Sequence, residues 1–139
     1  MSPDQRPDLI IAEWMEYAGG SELLRLLASR CEDCETRVFP RAATCPSCSG
    51  RNTVDTALGP DAEFYSFTVM PARGDGEPTV VGQARFEGGA VVRGYIDADE
   101  DAIPSIGEAV EVVPFVLPAA GDLEAATTFA FRRKEQAGA

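Results

Sequence analysis

Apolar and polar positions divide the chain into two textures. Near the N-terminus the apolar residues recur at helical spacing. Ile10, Trp14 and Tyr17 stand at i, i+4 and i+7, with Ile11 and Met15 beside them and Gly19-Gly20 after them. This spacing predicts a helix over residues 8–18, closed by the glycine pair. Trp14 would then be a packing anchor for the next segment, or its stripe would dock a partner. Residues 21–30 fit two readings. Ser21 could cap a helix carrying Leu23, Leu24, Leu26 and Leu27, or residues 25–31 could be a strand; periodicity does not decide so short a segment.

From Asn52 onward, short β-type stretches alternate with Gly, Pro and Asp punctuation. The pattern predicts strands near residues 53–58, 61–70, 79–87, 90–96, 109–117 and 125–131. The alternation is clearest at Phe64, Tyr65, Phe67 and Val69, at Val80, Val81, Ala84 and Phe86, and at Val110, Val112, Val113 and Phe115. Gly88-Gly89 reads as a hairpin, because a primed turn needs positive φ. Residues 71–78 form a polar, glycine-rich loop, residues 97–107 connect two strands with room for one helical turn, and the tail after Arg132 frays. Five or six short strands in so few residues suit a small closed barrel better than a sandwich, since closure removes exposed edges.

Charge narrows the function. The 139 residues carry 12 basic and 23 acidic side chains, a formal charge of −11. Residues 1–58 hold 6 basic and 9 acidic groups, net −3; residues 59–139 hold 6 and 14, net −8. The acidity thus lies mainly on the barrel. It opposes nucleic-acid binding, where phosphate neutralisation supplies most of the affinity, and it opposes anionic membrane surfaces. There is no histidine, which excludes Ser-His and Cys-His nucleophiles, His-ligated zinc hydrolases and imidazole proton shuttles. No secretory signal is expected in the polar N-terminal stretch, and no apolar run approaches the roughly 20 residues that span a bilayer. The expected location is the cytoplasm, where clustered cysteines are metal ligands more often than disulfides.

Cys31-x-x-Cys34 and Cys45-x-x-Cys48, ten residues apart, are the strongest signal in the chain. Each pair can aim two thiolates at one ion, and two pairs complete a tetrahedral site. Zn²⁺ in such a site is structural, because no position is left open for water. The ion would staple a segment whose large apolar groups are only Val38 and Phe39. Iron in a rubredoxin-like site would use the same ligands. A redox dithiol fits least, because neither pair opens a helix after a strand.

The order of these parts resembles the DUF35 family of acyl-CoA-associated proteins. The resemblance covers residues 8–131. It rests on the Arg30-Cys31 approach, the Phe39-Pro40-Arg41 step, the Cys45-Pro46-Ser47-Cys48 knuckle, Gly59, and the Tyr65-Ser66-Phe67-Thr68 strand. It implies a mainly β protein: an N-terminal helical segment at 1–28, a rubredoxin-like zinc ribbon at 29–51, a five- to six-stranded OB-fold barrel at 52–133 and a tail at 134–139. It also favours the strand reading for residues 25–31. The implied role is a non-catalytic subunit that pairs with a thiolase-type enzyme and helps form its CoA-thioester site, with catalysis in the partner. Some members pair instead with hydratase- or aldolase-type enzymes. CoA is anionic, so direct binding by an acidic chain needs locally concentrated arginines, whose guanidinium planes stack on adenine and chelate phosphate. Arg37, Arg41, Arg51, Arg73 and Arg93, together with Phe67, are the candidates.

Two other readings compete. Zinc ribbons and OB barrels also serve nucleic acids, with aromatics such as Phe64, Tyr65, Phe67 and Phe86 as platforms, but the basic groove is missing. A self-sufficient enzyme could draw on Asp97, Asp99, Glu100 and Asp101 for acid–base work; such a run is more often a solvated loop.

Overall fold

The computed structural model describes residues 13–72, 74, 76–117 and 126–134. Among these the regular elements are strands: β1 (Met15–Tyr17), β2 (Leu24–Cys31), β3 (Arg37–Val38), β4 (Thr53–Leu58), β5 (Asp61–Met70), β6 (Thr79–Arg85), β7 (Val91–Ile96), β8 (Ala109–Leu117) and β9 (Ala126–Arg133).

The expected N-terminal helix is not found. Residues 8–12 lie outside the described residues. Met15–Tyr17 is a strand, antiparallel to β2 with Met15 opposite Leu26 and Tyr17 opposite Leu24. Its exposure follows a period of two: Met15 is buried, Glu16 exposed and Tyr17 half-buried. The helical spacing of Trp14 and Tyr17 is overruled by a partner strand that supplies the backbone hydrogen bonds and a core face for Met15. The same pairing resolves the ambiguous leucines. Leu24, Leu26 and Ala28 alternate onto one buried face of β2, as a strand requires.

β1, β3 and β4 all pair with β2, making a four-stranded sheet. β4, assigned to the barrel from the sequence, therefore belongs by pairing to the ribbon's sheet, with Leu58 opposite Leu26 and Thr53 opposite Cys31. β5, β6, β7, β9 and β8 close in that order into a five-stranded barrel. Its pairings are antiparallel except β7 with β9, where Tyr95 and Ile96 lie parallel to Ala130 and Phe131. This is an OB-like barrel. The Gly88-Gly89 hairpin joins β6 to β7, with both glycines at positive φ and the Gly89 N–H donating to the Phe86 carbonyl. Residues 97–107 carry turns and no helical turn. Arg133 and Lys134 are held rather than frayed: Lys134 Nζ lies 3.1 Å from Asp61 Oδ1.

One core serves both parts. Met15, Leu24, Leu26 and Leu58 of the sheet join Phe64, Phe86, Val112 and Phe131 of the barrel in a single buried cluster. Gly59 makes the join. Its φ is +91°, and a Cβ there would stand 3.2 Å from the Phe86 ring. No helix among the described residues is long and apolar enough to cross a membrane.

Candidate metal centre

The two cysteine pairs fold as near copies of each other. In the first, the Glu35 N–H donates to the Cys31 carbonyl at 2.8 Å and the Cys31 N–H to the Thr36 carbonyl at 2.9 Å. In the second, the Ser49 N–H donates to the Cys45 carbonyl at 2.9 Å and the Cys45 N–H to the Gly50 carbonyl at 2.8 Å. The residue after each second cysteine, Glu35 or Ser49, sits at φ 64°. This left-handed position turns the chain back, so both sulfurs of a pair face inward.

Register brings the pairs together. Cys31 ends β2, and pairing with Thr53 on β4 returns the chain just beyond the second knuckle. The four sulfurs lie within 4.8 Å of one another. Cys31 to Cys48 and Cys34 to Cys45 are each 3.6 Å. A tetrahedron with metal–sulfur bonds of about 2.3 Å has edges of about 3.8 Å, so the quartet fits one ion. All four cysteines are free of disulfides. Cys31 and Cys45 are buried; Cys34 and Cys48 are exposed.

Electrostatics also call for a cation. Cys34 Sγ stands 3.2 Å from Thr36 Oγ1. The Thr36 hydroxyl, then its backbone N–H, favours the thiolate and brings the Cys34 thiol down to about 6. At Cys48 the strongest single influence, the Gly50 N–H, also favours the thiolate. It is outweighed by the Cys31 and Cys34 sulfurs and by burial, and the thiol is pushed up to about 12. Sulfurs this close cannot all ionise without a positive ion among them. Thr36 escaped the sequence reading; a hydroxyl two residues after a knuckle cysteine was the available signal.

The arginines have different fates. Arg37 Nη1 donates to the Glu87 carbonyl at 2.9 Å, and its side chain lies over Gly88, where a Cβ would come within 2.6 Å. Arg41 donates to the Glu13 carbonyl at 2.8 Å and reaches Asp55 at 3.5 Å. Both are joints between elements. Between them Phe39 packs edge-on against Trp14 at 6.1 Å and Phe129 at 5.7 Å, carrying an aromatic chain from ribbon to barrel. Arg51 and Arg93 are exposed. Arg73 lies outside the described residues. Phe67 is stacked on Phe64 at 5.8 Å, with its other side open. Among the described candidates, Arg37 and Arg41 are thus committed to contacts within the fold.

The carboxylates Asp97, Asp99, Glu100 and Asp101 line an open cleft of about 920 Å³ together with Glu77. Its two arginines are neutralised: Arg132 pairs with the buried Glu111 at 2.8 Å, and Arg133 with Glu108.

Comparison with known proteins agrees with this geometry. Residues 23–54 match the family described as ChsH2, rubredoxin-like zinc ribbon domain. Among solved structures, the chain is similar to the "Ltp2-ChsH2(DUF35) aldolase", with 27% identity and a TM-score of 0.55 over 78% of this chain and 84% of that one. No curated protein matches its sequence.

Proposed function

We propose that this chain, a member of the DUF35 family, is the non-catalytic subunit of an aldolase complex acting on acyl-CoA thioesters. The observation that carries the reading is the similarity to the Ltp2-ChsH2(DUF35) aldolase over 78% of the chain. It favours the aldolase alternative over a thiolase-type partner. The site chemistry supports a helper role. Four sulfurs around one ion leave no coordination position for water or substrate. The residues that would hold Zn²⁺ are Cys31, Cys34, Cys45 and Cys48; bound there, the ion supplies a structural crosslink.

The chain's own residues then have distinct duties. The knuckles hold the segment between Cys34 and Cys45 in place. Arg37 and Phe39 in that segment lock ribbon to barrel, and Arg41 ties it to the chain entering β1 and to β4. Arg51 and Arg93 keep exposed guanidiniums that can meet a CoA phosphate at the edge of the partner's site. The larger subunit carries out the carbon–carbon bond cleavage.

Co-expression with an Ltp2-type aldolase from the same genome tests the reading. The two should elute as one species in size-exclusion chromatography. A 3-hydroxyacyl-CoA should be cleaved by the pair and not by this chain alone. Turnover by this chain alone, or persistent separation of the two proteins, would overturn it.

A further inference from the structure

We propose that the outer half of β5, Ser66 to Met70, is the edge on which the larger subunit docks, through an extended apolar segment that ends in basic residues. The inference rests on the two-subunit reading above and adds the surface and the chemistry of the partner.

The first ground is an open strand edge. β5 runs for ten residues, yet only Asp61, Ala62 and Glu63 pair with β8. Phe64 is still held on that side, by the Gly107 N–H and the Glu108 carbonyl. Beyond it β5 pairs with β6 alone among the described residues. Natural edges of this kind are protected by charge, proline or cover, because unpaired N–H and C=O groups recruit another strand. Residues 65–70 carry neither charge nor proline.

The second ground is apolar exposure. Of seven exposed large hydrophobic side chains among the described residues, three lie on β5 and one on the loop beside it. Tyr65 is 46% exposed, Phe67 43% and Met70 45%; Ile106, next to the Gly107 that bonds Phe64, is 59% exposed. Phe67 and Met70 stand three residues apart and so project to opposite faces of the sheet; they flank the open edge on both sides, where an added strand would meet them.

The third ground is charge, and it selects the occupant. Met70 pairs with Thr79, and Thr79 lines the acidic cleft with Glu77, Asp97, Asp99, Glu100 and Asp101. The end of the edge at Met70 therefore stands one strand away from a negative cleft whose own arginines are already paired. A second copy of a chain with charge −11 brings the same acidic rim to the seam and is repelled. An extended segment with apolar residues followed by Lys or Arg satisfies edge, apolar flanks and cleft together. Backbone pairing would supply the affinity and side-chain pockets the specificity.

The test uses the full chain loaded with zinc and the Ltp2-type aldolase from the same genome, with affinity measured at low and high salt. Met70→Asp and Phe67→Asp should weaken association by at least about tenfold, as expected for residues central to an interface. The control Val91→Asp, an exposed apolar site on β7, should not. The double variant E77K/D99K should weaken association and flatten its salt dependence. Zinc content and Trp14 fluorescence verify each fold. If Phe67→Asp disturbs its stack on Phe64, Met70→Asp carries the test. Normal binding by Met70→Asp overturns this inference and leaves the two-subunit reading intact. Failure of the unaltered chain to bind the enzyme overturns both. A homodimer that Met70→Asp dissolves would assign the edge to a second copy and overturn the proposal.

Discussion

From Arg30 to Ala57 the only buried side chains are Cys31 and Cys45, whereas the barrel buries Phe64, Val80, Phe86, Val92, Ile96, Val110, Val112 and Phe131. The ribbon therefore has almost no apolar surface to remove from water, and its order must come from thiolate–metal bonds. The barrel wraps five strands around a large buried core, which the sheet's Met15, Leu24, Leu26 and Leu58 extend. The comparison separates two sources of order within one continuous fold: coordination acts at a point, and burial acts over an area. The loop between the two cysteine pairs meets the barrel through few contacts, the Arg37 latch and the edge-on ring of Phe39, whereas β2 enters the shared core through Leu24 and Leu26.

Removing the metal should break the comparison most severely. Structural zinc contributes about 10–16 kcal/mol in isolated zinc-finger peptides. Chelation, or Cys31→Ser, should abolish hydrogen-exchange protection over residues 31–50 and leave the slow amides of β8 and β9 in place. Trp14, the single tryptophan, should redden as its contact with Phe39 is lost. Simultaneous loss of protection in ribbon and barrel would show that the two do not differ as claimed.

The reciprocal change attacks burial. Phe131 is fully buried against Phe86 and Phe129. Phe131→Ala should cost about 3–5 kcal/mol in denaturant unfolding, while native protein still binds one zinc. A loss of zinc in native protein would mean that the barrel holds the ribbon.

The joint should respond less. Gly88 has φ +90°, and an added Cβ would meet the Arg37 guanidinium. Gly88→Ala should cost about 1–2 kcal/mol from backbone strain, plus the lost latch. Arg37→Ala should cost about 1 kcal/mol, the net worth of one hydrogen bond. The double variant should cost less than the sum, since both remove the same contact. Strict additivity would deny the latch a role.

The smallest effects come from pH. Glu108 is held below the usual carboxylate range, first by the Ser105 N–H and then by Arg133. Its contribution is present above that range and disappears on acidification, so Glu108→Gln should flatten the acid limb of stability slightly.

Much of the barrel was legible from local signals. The strands predicted at 61–70 and 109–117 coincide with β5 and β8, and the one at 53–58 with β4 of the neighbouring sheet, because alternation and turn residues are written within a few positions of one another. The cysteine quartet was legible for the same reason: ligand type and spacing are local. Met15–Tyr17 reads as helix in the sequence because its spacing carries no record of β2, the partner that makes it a strand. The place of β4 beside β2, the use of Arg37 and Arg41 as joints, and the open edge of β5 were likewise out of reach.

The sequence by itself determined the secondary structure of most of the barrel, the ligands of the metal and the absence of imidazole chemistry. Each depends on residue identity and short-range periodicity, which a chain keeps whatever its fold. Tertiary structure alone decided which strands are neighbours, which arginines are spent on backbone carbonyls, and where apolar side chains meet an uncovered edge. These are contacts between residues far apart in the chain, such as Arg37 with Glu87. Their partners are selected by chain closure and core packing, which no local pattern encodes.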